Sequence, residues 1–365
     1  MWVFKAQISL DIIVIRFLAK GLGEKDTTFL PHSKSSSSQI SPMANAWKRE
    51  KPSKFVSIKS LLVLLVLISL LLFFFSSSPF SSSSSIQNPN PQTLKTLTLT
   101  SPKFHPFNCL TSPQASPVIA SLVEGVTHPF LFSLSDFGSL PDKPHKNIQR
   151  ILKGKPFRRP DISVTIQEIL AKKKGSDGIV VDVGANVGMA TFAAAAMGFQ
   201  VVAFEPVFEN LQRVCDGVFL NRVWERVAVF HAAASDRIGN VTIHKVVGRL
   251  DNSAISATGA KLAFKSNQDI AVEVATIPLD EVIPKNERVL LIKIDVQGWE
   301  SHVLRGAKKL LSRKAGEAPY LIYEEDERLL QASNSSTEDI RKFLGTVGYH
   351  LCTKHGTDAH CTKDS

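Results

Sequence analysis

From about Asp161 onward the chain alternates between helical and strand-like hydrophobic patterns. "DISVTIQEILAKKK" places Ile162, Ile166, Ile169 and Leu170 at helical spacing and predicts a helix. "GIVVDVG" is a short continuous apolar run and predicts a buried strand. "NVGMATFAAAAMG" follows as a helix closed by Gly198, then "QVVAFEP" as a second strand and "VFENLQRVCDGVFLN" as a helix. "RVAVFHAA" and "RVLLIKIDV" predict a third and a fourth strand. "WESHVLRGAKKLL" predicts a helix, "YLIYEE" a fifth strand and "STEDIRKFLGTVG" a last helix. Continuous β-branched runs alternating with helices imply a doubly wound α/β fold, a mostly parallel sheet covered on both faces.

Two segments between the third and fourth strands have a different period. "NVTIHKVV" and "IAVEVATI" alternate apolar and polar positions, as in half-exposed antiparallel strands, and predict a small antiparallel insertion. The stretch between them, "GRLDNSAISATGAKLAFKSNQD", reads as a loop able to approach a substrate.

The N-terminal third has no such alternation. Residues 55–75, ending in "SLLVLLVLISLLLFFF", approach the roughly 20 apolar residues that span a bilayer. "KREKPSK" precedes this run, and no charge follows it until Lys95. The positive-inside rule then predicts a signal anchor with a basic cytosolic tail at 43–54 and a luminal head, a type II arrangement; a cleaved signal peptide is the alternative. Residues 1–42 suit such an anchor poorly, and Met43 is a candidate start. Residues 76–117 are rich in Ser, Pro, Thr and Asn and read as a stem. The head divides into an N-terminal part at 118–177, a core at 178–350 and a tail at 351–365.

Charge adds a weaker constraint. With 43 Lys and Arg against 33 Asp and Glu, the chain suits an anionic partner: nucleic acid, a membrane surface or an acidic polymer. "KPHKNIQRILKGKPFRR", 143–159, is a basic patch that reads either as a solvated face or as a contact for an acidic glycan. Aromatic-rich nucleic-acid motifs and the D/N-P-P-Y signature are absent, so no nucleic-acid partner is expected. The four cysteines show no zinc-type spacing, and no ligand spacing demands a metal. Cys352 and Cys361 could close a disulfide in an oxidising lumen, whereas Cys215 is expected as a buried thiol. Asn240 and Asn334 open glycosylation sequons that matter only if the head is luminal.

The chemistry concentrates in "VVDVGANVG". Asp182, Gly184 and Gly188 form D-x-G-x-x-x-G, which lacks the third glycine of the dinucleotide motif. A helix N-terminus near Asn186 can receive the carboxylate of S-adenosylmethionine, and Asp182 can serve its cationic end. Glu205, ending the second strand, can take both ribose hydroxyls. Asp236, after the third strand, completes the candidate cofactor set.

"VVDVGANVGMATFAAAAMGFQVVAFEP", "LDEVI" and "LLIKIDVQGWESHVLRGAKKLL" resemble the FkbM family of methyltransferases, from about Gly178 to Tyr349. The resemblance implies a Rossmann-like class I methyltransferase fold, O-methylation, and a cofactor lined by Asp182, Gly184, Asn186, Gly188 and Glu205. Members often read D-V-E-G where this chain has Gln297, which is therefore given no catalytic role. Asp295, ending the fourth strand, is the first choice for acceptor positioning or proton removal. Glu300, Lys293 and Glu324 complete the catalytic candidates. Lys293 sits in an apolar strand and needs an acidic partner, for which Glu324 is suggested. His231 reads as a hydrogen-bonded strand residue rather than a base.

These readings converge on a membrane-anchored O-methyltransferase of the Golgi or another endomembrane, acting on a glycan hydroxyl, acidic glycans included. The alternatives are a small-molecule or lipid-linked acceptor, or a binding protein that has lost catalysis.

Overall fold

The computed structural model describes residues 103–363 except 136–137, 140–142, 145, 156–160, 174, 247–248 and 264–268. The extension at 1–42, the basic tail at 43–54, the anchor at 55–75, most of the stem and part of the basic patch lie outside the described residues. Among the described residues, no helix is long and apolar enough to cross a membrane.

The chain enters through β1 (Ala120–Val123), β2 (Phe130–Ser133), β3 (Gly138–Ser139), β4 (Lys143–Pro144), α1 (Lys146–Leu152) and α2 (Asp161–Ala171). The core follows as β5 (Ile179–Val183), α3 (Met189–Ala195), β6 (Gln200–Phe204), α4 (Phe208–Asn221) and β7 (Val227–Phe230). Next come β8 (Ala233–Ala234), β9 (Gly239–Val246), α5 (Ala257–Ala263) and β10 (Asp269–Ile277). The chain returns through α6 (Leu279–Val282), β11 (Val289–Ile294), α7 (Glu300–Gly306), α8 (Lys308–Leu311) and β12 (Tyr320–Glu324). It ends with α9 (Glu327–Ala332), α10 (Thr337–Thr346), β13 (Leu351–His355) and β14 (Asp358–Thr362).

The main sheet has the order β13-β14-β12-β11-β5-β6-β7. The five strands from β12 to β7 are parallel, and β14 pairs antiparallel with β12. This is the doubly wound, mostly parallel sheet that the sequence predicts. Every residue of β5 and β11 is buried, because helices cover both faces, and all are apolar except Asp182 and Lys293. One face packs Val181, Val183, Ile292 and Ile294 against Val303 and Leu304. The other packs Val180, Val201 and Leu291 against Phe192, Ala193 and Ile166. The chain runs outward from β5 to β7, then returns to place β11 beside β5. Ligands of such sheets sit at this reversal, beyond the strands' carboxyl ends. Here those ends are Gly184 and Asp295.

The insertion is a second sheet, β8-β10-β9, with β9 and β10 antiparallel over eight residue pairs. The stretch between them, read as a loop, contains a 3₁₀ turn at Leu250–Asn252 and the helix α5. Two further corrections concern the ends of the head. Residues 103–117 do not belong to a free stem. Phe107 donates its N–H to Val229 O at 2.6 Å, Arg213 reaches Pro117 O at 2.6 Å, and Cys109 bonds to Cys215. Cys215 is thus a disulfide cysteine, not a free thiol. Nor is 351–365 a tail, because β13 and β14 extend the main sheet and Cys352 faces Cys361 across the hairpin in a second disulfide. The helix at "WESHVLRGAKKLL" breaks at Ala307. There Gly306 presses on Ser235: a Cβ at Gly306 would lie 1.9 Å from its carbonyl oxygen.

Candidate active site

Beyond β5 and β11 the backbone closes into a cleft lined by Gly184, Asn186, Glu205, Asn210, Asp295, Gln297 and Trp299. Ala232, Ala233 and Ile243 wall one side, and a strap carrying Leu250, Asp251, Ser253, Ala254 and Ile255 covers it. The strap leaves about 70 Å³ free, whereas small-molecule sites hold roughly 300 Å³ or more.

Gly184 makes the close approach possible. Its φ is +76°, and a Cβ there would lie 1.9 Å from Asp295 O. Asn186, also left-handed at φ 53°, turns its N–H toward Glu205 Oε2 at 2.7 Å. Glu205 Oε1 accepts the Val207 N–H at 2.9 Å. Burial pushes the Glu205 carboxyl up to about 7, against the two backbone donors that favour its charge. The backbone donors of the turn are already engaged. Gly184 and Ala185 both donate to Phe204 O, Asn186 donates to Glu205, and Gly188 donates to Ala185 O. These four N–H groups are therefore engaged within the fold.

Asp182 is corrected more strongly. It is fully buried beneath the turn and does not line the cleft. Its Oδ2 accepts the backbone N–H and hydroxyl of Thr191 at 3.0 and 2.6 Å, tying β5 to α3. Its Oδ1 lies 3.2 Å from Lys293 Nζ. The partner of Lys293 is thus Asp182 on the adjacent strand, in direct register, and not Glu324. The Lys293 ammonium also donates to Gly184 O at 2.6 Å and stands 3.9 Å from Asp295. Burial alone would lower the Lys293 pKa, but the Asp182 and Asp295 charges raise it. Gly188 serves packing, since a Cβ there would strike the Phe192 ring.

At the other end of the cleft, Asp295 presents a half-exposed carboxylate. Gln297 donates its amide to Asp295 Oδ1 and to Glu324 Oε2, both at 3.0 Å. One neutral side chain therefore bridges two acids. Burial, and then the Asp295 and Glu300 charges, push Glu324 up to about 9, so it holds its proton at neutral pH. Glu300 is not in the cleft. Its buried Oε1 accepts the N–H groups of Val296 and Gly298 at 2.9 and 3.3 Å, fixing the turn after β11, and burial pushes it up to about 7. Asp236 also lies outside, beyond β8, accepting the Ser235 hydroxyl at 3.2 Å beside Arg237. His231 faces Pro206 O at 3.2 Å between the Phe107 and Phe208 rings, in the structural role expected of it.

Sequence reading missed Asn210 and Trp299 and set Gln297 aside, whereas the strap falls in the stretch expected to approach a substrate. Asn210 left one usable signal: a polar residue in the first turn of the helix after the acidic strand end.

The polar groups lining the cleft suit S-adenosylmethionine. Glu205 and the buried, unpartnered Oδ1 atoms of Asn186 and Asn210 are acceptors that call for hydroxyl or amine donors, as a nucleoside carries. A model of the methyltransferase FkbM domain matches residues 182–351. No curated protein matches the sequence. Among solved structures, the chain is similar to magnesium protoporphyrin IX methyltransferase of Synechocystis PCC 6803 with bound SAM. Identity is 13%, covering 62% of this chain and 88% of that one, at a TM-score of 0.34. It is also similar to a T. thermophilus 16S rRNA methyltransferase in complex with AdoMet and guanosine. Identity there is 12%, covering 69% of this chain and 52% of that one, at a TM-score of 0.35.

Proposed function

We propose that this chain, whose residues 182–351 match the methyltransferase FkbM domain, is an S-adenosylmethionine-dependent O-methyltransferase that acts on a glycan hydroxyl in the endomembrane lumen. Asp295 carries the chemical part of this reading. Its carboxylate opens into the cofactor cleft, where it can accept the proton of an acceptor hydroxyl. The cofactor, when bound, supplies a methyl group on a sulfonium. Gln297 holds Asp295 through Oδ1, and buried Lys293 fixes the strand beneath it. Glu324, protonated, lends no second negative charge.

The same residues favour a neutral acceptor over an acidic one. Asp295 and Glu324 stand at the acceptor end, with Asp326 and Asp358 close enough to raise Glu324 further. The nearest cation, Lys293, is buried and committed to Asp182. The chain's basic surplus then belongs to its outer surface and not to the acceptor.

The cysteines support the lumen. All four are paired, Cys109 with Cys215 across 106 residues and Cys352 with Cys361. Such structural pairs persist in oxidising compartments. The apolar run at 55–75, with basic residues before it, supplies the anchor in this reading. Protease protection of the full-length chain on sealed membranes tests the topology, and digestion of the head from the cytosolic side reverses it. Glycan profiling of cells lacking the protein tests the reaction, with one missing O-methyl group as the expected result. An unchanged profile removes the glycan acceptor.

A further inference from the structure

Glu205 is flanked by a residue that no motif assigns. Asn210 stands in the first turn of α4 and lines the cleft, with 2% of its surface exposed. Its Oδ1 is buried and has no partner. A buried carbonyl oxygen left unpaired is costly, so such an atom in a native site calls for a donor from elsewhere. Its Nδ2 is only loosely held. It lies 3.5 Å from Glu205 Oε1 and 3.4 Å from Leu250 O, at the outer limit of a hydrogen bond. Leu250 belongs to the strap that lines the cleft opposite Asn210. The side chain that ties down the strap is therefore also the one with an unfilled acceptor beneath it.

We propose that Asn210 is a cofactor-positioning residue: its Oδ1 accepts a hydrogen bond from a nucleoside donor, and its Nδ2 releases Leu250 to hold Glu205 more firmly. This rests on the methyltransferase reading and adds a residue to it. Two nucleoside groups have the required chemistry, the adenine 6-amine and a ribose hydroxyl. The inference also couples Asn210 to the charge of Glu205. A donor to Glu205 favours the ionised form, opposing the burial that raises its pKa. Ionised Glu205 accepts from ribose hydroxyls with both oxygens. Affinity in the wild type should thus rise with pH through about 7, and losing the Asn210 donor should move that rise to higher pH.

The test is calorimetric titration of the full-length chain with S-adenosylhomocysteine from pH 6 to 9. Asn210→Ala should weaken binding about tenfold, the scale of one hydrogen bond left unmade, and shift the pH midpoint upward. Asn210→Ser, with a shorter acceptor, guards against a folding defect and should fall between the two. An S-adenosylhomocysteine analogue lacking the 6-amine separates the donors. Equal sensitivity to Asn210→Ala assigns the ribose, and lost sensitivity assigns the amine. Wild-type affinity and midpoint in the Asn210→Ala chain overturn the inference alone. A weakening without any midpoint shift also overturns it, because a merely structural residue would behave so. A wild-type chain that binds no S-adenosylhomocysteine overturns the methyltransferase reading with it.

Discussion

Two carboxylate systems meet at the carboxyl end of β11, and they have opposite characters. Below the turn, Asp182 faces Lys293 across β5 and β11, opposite charges at 3.2 Å with no solvent. Above it, the Asp295 carboxylate and the protonated Glu324 are two acids held together by the neutral amide of Gln297. Lys293 and Asp295 are two positions apart, so one β11 feeds both. Asp182 turns both oxygens inward, toward Thr191 and Lys293, and does not line the cleft. Asp295 keeps a half-exposed carboxylate in the cleft. Position at a strand end nominates an acid for chemistry. What decides is whether its charge is already answered within the fold.

The largest effect should come from breaking the lower pair. Lys293→Met leaves Asp182 buried without its cation and should cost about 3–5 kcal/mol, the usual penalty for removing one partner of a buried pair. Urea denaturation of the full-length chain measures it. Adding Asp182→Asn should recover part of the loss, since an amide oxygen still accepts from Thr191 and no charge remains unpaired. A double variant no more stable than Lys293→Met would mean that the loss is one of packing, and the comparison with the upper pair would fail.

Asp295→Asn should come next, and in kinetics rather than stability. The asparagine oxygen can still accept from Gln297, so the turn stays closed. Methyl transfer from labelled S-adenosylmethionine to a neutral glycan fraction should fall by about 10²- to 10⁴-fold, the range of a lost general base. S-Adenosylhomocysteine binding should hardly change. Wild-type turnover would remove Asp295 from the mechanism.

The sequence conveyed the sheet more fully than the site, for a physical reason. Strands such as "GIVVDVG" and "RVLLIKIDV" are buried on both faces, so composition alone marks them. The C-terminal hairpin was read as a tail because its outer strand, β13, is largely exposed and mixes Leu351 with Thr353, Lys354 and His355. In the site, Gly184, Asn186, Glu205 and Asp295 were legible because a turn or a strand end positions each of them. Asp182, Glu300 and Asp236 were assigned to the ligand because sequence places a residue along the chain without showing what lies across from it. Lys293 is the clearest case: its need for an acid was evident, but only strand register chooses Asp182 over Glu324. Gln297 was set aside as unable to act as a carboxylate. That inability is what lets it donate to two acids at once.

The smallest effect sharpens the upper half of the comparison. If Glu324 keeps its proton in the folded chain, Glu324→Gln replaces one neutral group with another. Its pKa rises from 4.5 to about 9 on folding, so it stabilises the fold fully only below the unfolded value and loses that contribution as pH climbs to about 9. The glutamine variant has no proton to lose. The two thermal midpoints should therefore coincide near pH 4 and diverge as pH rises, with the variant the more stable by a growing margin up to about pH 9. Methyl transfer at neutral pH should stay close to wild type. A fall in turnover as deep as that of Asp295→Asn would make Glu324 the base, and the two acids would exchange roles. A midpoint difference independent of pH would instead mean that Glu324 is ionised in the folded chain, and the bridge through Gln297 would then join two anions.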